Sequence, residues 1–101
     1  MKIVFASDIH GSRTACEAVL NAVETERADR LILLGDLLYH GPRNDLPEAY
    51  EPKTVLRMLN EFRIQPLCVR GNCDAEVDQM VLNFPILADY ALLPLDEKRC
   101  A

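Results

Sequence analysis

The chain has 101 residues, of which 50% are apolar, and a formal net charge of -5. This balance argues against a general nucleic-acid-binding protein, because affinity for the phosphate backbone comes mainly from clustered Lys and Arg. No stretch approaches the roughly 20 apolar residues of a membrane span, and the start of the chain lacks the pattern of a signal peptide. We therefore expect a single cytoplasmic α/β domain over residues 1–101.

The elements are predicted in the order β-α-β-α-β-α. The strands are Val/Ile/Leu-rich runs that do not alternate with polar residues, which is typical of strands covered on both faces. They lie at 3–7, 31–34 and 67–70, and a fourth strand is expected to start near Tyr90. Alternating strands and helices predict a largely parallel sheet with right-handed crossovers.

Each predicted helix carries an apolar stripe at helical spacing, which we expect to pack in the core. The first can be capped by Ser12 or by Thr14, the latter with Glu17 three residues on. The second follows Pro52, which suits the first helical position, and the third ends at Pro85. The stripes are Cys16, Val19, Leu20 and Val23; Val55, Met58, Leu59 and Phe62; and Val77, Met80, Val81 and Phe84.

The four cysteines are predicted to be reduced thiols. They show no C-x-x-C pairing, and two of them fall in predicted core elements. The sequence therefore indicates neither a zinc knuckle nor a disulfide framework. The cysteines are Cys16, Cys68, Cys73 and Cys100.

A potential metal ligand follows each apolar run. Asp8 and His10 follow the first run, Asp36 the second and Asn72 the third. The carboxyl ends of parallel strands lie side by side, which is where open α/β sheets build their sites. Oxygen donors with one imidazole suit manganese, iron or zinc. The sequence therefore predicts a metal site at this edge of the sheet, and a metalloenzyme.

These ligands lie in motifs that resemble those of the calcineurin-like metallophosphoesterases. Within that superfamily, the YfcE-type small bacterial phosphodiesterases share residues 34–44, 70–74 and 76–80 in nearly this form. The resemblance extends from Met1 to about Pro94, and it implies the amino-terminal part of a four-layered α/β/β/α sandwich. The motifs, in chain order, are Asp8-x-His10, Gly35-Asp36 and Gly71-Asn72-x-Asp74.

The resemblance implies a phosphodiesterase that uses a metal-activated hydroxide at a dinuclear site. Asp8 and His10 would hold the first ion, Asp36 would bridge both ions, and Asn72 would bind the second. Manganese is the expected metal, with iron, zinc and nickel as alternatives. The expected partner is a small phosphodiester, with no membrane and no general nucleic-acid binding.

Two features depart from the family pattern. Cys73 stands where many members have a histidine that aids the leaving group, and a thiol with a reference pKa near 8.5 is a poorer acid. The family adds three later histidines, whereas this chain contains only His10 and His40. We therefore expect an incomplete phosphoesterase domain, with one sheet face exposed and a tendency to form homo-oligomers or to aggregate.

Simpler interpretations of the same residues stay open. Asp8, His10 and Asp36 could be ordinary turn or loop residues. Cys73 and Asp74 are candidate catalytic residues, yet the thiol could instead pack inertly, and Asp74 is also expected to cap the third helix.

The connection from Leu37 to Glu51 offers two further candidates. His40 and Arg43 could reach the substrate phosphate, or they could lie in a solvated loop.

Two other function classes are considered. A response-regulator-like receiver would need an acidic pair near the N-terminus and a phosphorylatable Asp after the third strand, and neither is present. A truncated, inactive chain could instead serve as a metal-binding or regulatory module. Metal titration separates these classes, because a receiver binds one magnesium ion and an intact esterase site binds two transition-metal ions.

Overall fold

The computed structural model describes residues 1–40 and 46–93. Its strands and helices alternate along the chain, which confirms the predicted α/β order. The elements are β1 (Ile3–Ala6), α1 (Arg13–Thr25), β2 (Arg30–Leu33), α2 (Pro52–Glu61), β3 (Leu67–Cys68) and α3 (Glu76–Val81).

The three strands form one parallel sheet in the order β1-β2-β3. Strand β3 has only two residues, fewer than the predicted run, although the Val69 N–H continues the pairing by donating to the Leu33 carbonyl at 3.0 Å. The parallel arrangement places the carboxyl ends of all three strands side by side. This is the edge at which the sequence predicted a metal site.

Helices α1 and α2 pack together as their apolar stripes predict. The Ser12 hydroxyl caps α1 by accepting from the Ala15 N–H at 3.1 Å, which selects one of the two predicted caps. Pro52 is the first residue of α2, where its missing N–H removes no helical bond. The stripe residues that these two helices bury are Cys16, Leu20, Val23, Val55 and Leu59.

The third helix departs from its prediction. Helix α3 ends at Val81 rather than at Pro85, none of its residues is buried, and Met80 is 84% exposed. Phe84 is buried, but it lies beyond the helix, where the Gln79 side chain bonds to the backbone of both Phe84 and Ile86. The chain leaves helical geometry at Leu82 (φ -92°, ψ 138°), and Pro85 disfavours helical geometry at Phe84, so the helix does not continue to Phe84 and the predicted stripe is not completed.

The predicted fourth strand is absent from the described residues. The chain passes beside β3, where the Arg70 N–H donates to the Ala88 carbonyl at 2.8 Å, but Tyr90 to Leu93 do not form a strand. Strand β3 is too short to offer a long row of backbone partners. Residues 94–101 lie outside the described part of the chain.

One face of the sheet is open at β1. Phe5 is 60% exposed and Leu34, just after β2, is 47% exposed. The sequence pattern predicted strands covered on both faces, and among residues 1–40 and 46–93 this is wrong for β1. In the same residues, no helix is long and apolar enough to cross a bilayer.

Candidate metal centre

Three of the predicted ligands lie on strained backbone at the carboxyl edge of the sheet. Asp8, His10 and Asp36 have φ angles of 60°, 51° and 56°, a region that costs a non-glycine residue about 1–3 kcal/mol. Main-chain hydrogen bonds hold them there, because the Asp8 N–H donates to Gly35 O at 3.2 Å and the His10 N–H to Asp36 O at 2.8 Å. The loops after β1 and β2 are thus joined by main-chain hydrogen bonds at the ligand residues themselves.

The imidazole of His10 is oriented from both sides. Its Nδ1 lies 2.8 Å from the Tyr39 carbonyl, and its Nε2 lies 3.0 Å from Asp8 Oδ1. Burial alone would lower the pKa of His10, but the Tyr39 carbonyl and the Asp8 carboxylate raise it above its ordinary value. A carbonyl at Nδ1 directs Nε2 toward the acidic cluster, as a metal-ligating histidine requires.

The two carboxylates differ in environment. The Ser7 hydroxyl lowers the pKa of Asp8, a carboxylate whose side chain is 60% exposed. Asp36 is only 6% exposed, and burial raises its pKa, with the nearby charges of Asp8 and Asp74 acting in the same direction. The Cys73 N–H opposes this by donating to Asp36 Oδ1 at 2.6 Å. Acidic groups crowded in this way are the kind of environment that a divalent cation relieves.

The side-chain amide of Asn72 lies against the Asp36 carboxylate. With its nitrogen turned inward, the amide donates to Asp36 Oδ2 at 2.6 Å and to Oδ1 at 3.1 Å. With its oxygen turned inward, it places a third acceptor against two carboxylate oxygens, an arrangement that only a cation stabilises. The donor types present, carboxylate and amide oxygens with one imidazole, are those that a divalent ion accepts.

Cys73 belongs to the same cluster. One ligand atom each from His10, Asp36 and Cys73 lies within 4.8 Å of the others, so these three side chains could hold a metal ion. Burial raises the pKa of the Cys73 thiol, and the negative charges of Asp36, Asp74 and Asp8 raise it further. The sequence predicted a role for this thiol next to the leaving group. The structure places the thiol beside the proposed metal ligands His10 and Asp36.

Asp74 does not cap α3, which corrects the prediction. Ala75 is the N-cap residue, and the acidic side chain at that end is Asp78, which accepts from the Ala75 N–H at 3.3 Å. The Asp74 carboxylate instead turns inward to the backbone of the neighbouring loops and is 4% exposed. The reason is that three unpaired main-chain N–H groups converge there. Its predicted catalytic role stays a prediction.

Of the two predicted substrate-binding residues, only His40 lies in the described part of the chain. The His40 ring makes edge contacts with Tyr39 and Tyr50, at centroid distances of 5.0 and 5.2 Å. Arg43 lies outside the described residues. Their contact with a substrate phosphate stays a prediction.

Two contributors were not anticipated from the sequence. The Ser7 hydroxyl bonds to Asp8, and its position directly before a ligand was an available signal. The Tyr39 carbonyl orients His10, and no side-chain pattern could have shown this because the contact is made by main chain.

The fold and this cluster define a class of protein. The sequence profile of the calcineurin-like phosphoesterases matches residues 1–99, and the chain belongs to that family.

Individual relatives agree with the family match. The chain is 52% identical over 99 residues to phosphodiesterase YfcE of Escherichia coli K12, a match that covers 98% of this chain and 54% of the relative. YfcE of E. coli O157:H7 gives the same values. A solved structure of the phosphoesterase YfcE from E. coli superposes with a TM-score of 0.90, covering 96% of this chain and 53% of that one. The chain thus spans about half the length of the relatives it matches.

Proposed function

We propose that this chain carries the amino-terminal ligands of a metal-dependent phosphodiesterase that hydrolyses small phosphodiesters at a dinuclear centre. The observation that carries the proposal is the central position of Asp36. Its carboxylate interacts with Asp8 on one side and faces the Asn72 amide at 2.6 Å on the other. A carboxylate that bridges two metal ions needs this position between two groups of metal ligands.

Each ligand has a defined task in this proposal. His10 and Asp8 hold the first ion, Asn72 holds the second, and Asp36 contacts both. When bound, two divalent ions neutralise the phosphate oxygens and activate the attacking water. We propose manganese as the metal, because the proposed ligands are oxygen atoms and one imidazole.

Cys73 is the proposed donor of a proton to the leaving oxygen. Its raised pKa keeps the thiol protonated near neutral pH, and it lies close to Asp36. A thiol that is reluctant to ionise transfers its proton poorly, so substrates with activated leaving groups are favoured. The relatives are named phosphodiesterases, and the proposal extends phosphodiester hydrolysis to the present chain.

The experiment uses a chimera of this chain with the carboxyl-terminal half of E. coli YfcE. We expect it to hydrolyse bis(p-nitrophenyl) phosphate with manganese, and expect Asp36→Asn to reduce kcat/KM by at least ~100-fold. Loss of an outer-shell partner already costs about 10–100-fold, and a bridging ligand should cost more. Asp29→Asn is the matched control, because that exposed carboxylate, which accepts from the Lys2 N–H, precedes the opposite edge of the sheet.

The control decides the interpretation. If Asp36→Asn retains most of the activity, the bridging assignment is wrong. If both variants lose activity equally, the loss reflects charge or folding rather than metal bridging.

A second candidate function is a metal-binding module without catalysis. The observation that favours it is the small number of imidazoles, since His10 is the only histidine in the cluster and His40 is the only other one in the sequence. Calorimetric titration of the chimera with Mn²⁺, together with its turnover, distinguishes the two candidates. Two bound ions with turnover support the esterase site, and one bound ion without turnover supports the module.

A further inference from the structure

The buried carboxylate of Asp74 joins two loops. Its Oδ2 accepts from the N–H groups of Asp36 and Gly71, each at 2.8 Å, and its Oδ1 accepts from the Leu37 N–H at 3.2 Å. A buried carboxylate is stable only when its oxygens are paired. Asp74 meets this condition with main-chain donors from the loop after β2 and from the loop after β3.

The connection is reciprocal. While Asp74 accepts from the loop that carries Asp36, the Asp36 carboxylate accepts from the Cys73 N–H at 2.6 Å, next to Asp74. The two Asp74 bonds to Asp36 and Leu37 lie on either side of the strained Asp36 backbone, whose φ is 56°. They fix the orientation of that residue and therefore the direction of its side chain.

Two glycines show how closely these loops approach. A Cβ at Gly35, whose φ is +96°, would lie 2.6 Å from Asp74 Oδ2. A Cβ at Gly71 would lie 2.7 Å from Asp36 Cγ. A side chain at either glycine would clash with the other loop, so only glycine allows the close approach at which Asp74 bonds to both loops.

We propose that Asp74 is a positioning residue, which holds the backbone of Asp36 so that the Asp36 carboxylate faces Asn72 and Cys73. Both oxygens of Asp74 accept hydrogen bonds from main-chain N–H groups. The effect on Asp36 follows from the contacts of this chain alone. Only its consequence for metal binding rests on the proposed function.

The test is amide hydrogen exchange, measured by NMR on the 101-residue chain without metal. Asp74→Asn preserves volume but replaces one acceptor with a donor. We expect exchange to quicken at least ~10-fold at one or more of Asp36, Leu37 and Gly71, and also at Cys73. The Cys73 amide is the decisive site, because its acceptor is Asp36 and not Asp74.

The matched control is Asp78→Asn, four residues along the chain from Asp74. In the described part of the chain, the Asp78 carboxylate accepts a backbone hydrogen bond only from the Ala75 N–H. The control substitution should quicken exchange at Ala75 and leave the Cys73 amide unchanged. A second measurement, Mn²⁺ titration, should show about 10–100-fold weaker binding for Asp74→Asn than for Asp78→Asn.

The outcomes separate this proposal from the proposed function. An unchanged Cys73 amide in a folded Asp74→Asn chain overturns the positioning role. If Asp74→Asn and Asp74→Ala both fail to fold while Asp78→Asn folds, Asp74 serves the fold and the proposal is also overturned. If the unsubstituted chain binds no Mn²⁺, the metal function fails for this chain, while the exchange data still decide the role of Asp74.

Discussion

The ligand edge of the sheet and the apolar surface around α3 are organised in opposite ways. At the ligand edge, formed by residues 7–10, 35–37 and 71–74, charged side chains are held by main-chain donors, and Asp36 and Asp74 are buried. On the apolar surface of α3, Met80 is 84% and Val77 63% exposed. At these two places charged groups are buried and apolar groups exposed, while the core of the chain is apolar as usual.

The contrast shows which interactions are complete within this chain. Hydrogen bonds act over short distances in space and are directional. The hydrogen bonds that hold Asp36 and Asp74 join the loops after β2 and β3, which lie side by side. Burial of an apolar surface needs a large covering area, and residues 1–40 and 46–93 do not provide it for α3. The edge can therefore be well formed while the surface stays uncovered.

The largest expected effect concerns activity of the chain alone. Assayed with excess manganese, the 101 residues should hydrolyse bis(p-nitrophenyl) phosphate at no more than about 1% of the rate of the chimera. Asp8, His10, Asp36 and Asn72 leave the second ion with few ligands, and a misplacement of about 1 Å can cost on the order of 100-fold. The Asp36→Asn chain measures the contaminating background. Activity near that of the chimera, lost in this control, would show that the later histidines are dispensable.

The next prediction compares burial in two helices. Leu59→Ala in α2, where the side chain is 1% exposed, should lower the free energy of unfolding by about 2–5 kcal/mol. Met80→Ser in α3 should change it by no more than about 0.5 kcal/mol, since that side chain is mostly in solvent. Urea denaturation followed by circular dichroism measures both. Equal losses for the two variants would mean that the α3 surface is covered in solution, by self-association or otherwise.

The smallest expected effect concerns side-chain chemistry at the ligand edge. In the chimera, Cys73→His should increase turnover of diesters with poor leaving groups several-fold more than that of p-nitrophenyl esters, because only the former need a proton in the transition state. Steady-state kinetics on a matched pair of substrates provides the comparison. Equal changes for both substrates would indicate that Cys73 is a packing residue.

The sequence-based predictions were most accurate where the interactions join residues that are close in the chain. The first two helices were predicted because their stripes pack on neighbouring elements, and the cap at Ser12 is a local hydrogen bond. The same reasoning failed for α3, where Pro85 disfavours helical geometry at Phe84 and the Gln79 side chain bonds to the backbone beyond the helix. A fourth strand was not found in residues 90–93, since β3 offers too few backbone partners.

The sequence by itself determined the parallel α/β order, the family and the residues that follow each strand. These depend on local patterns and on the common direction of the strands in a parallel sheet. Only the tertiary structure decided how those residues meet. It brought Cys73 within 4.8 Å of His10 and Asp36, and it turned Asp74 from a helix cap into a buried acceptor of three amides. The physical reason is that hydrogen bonds between loops depend on distances that no spacing along the chain specifies.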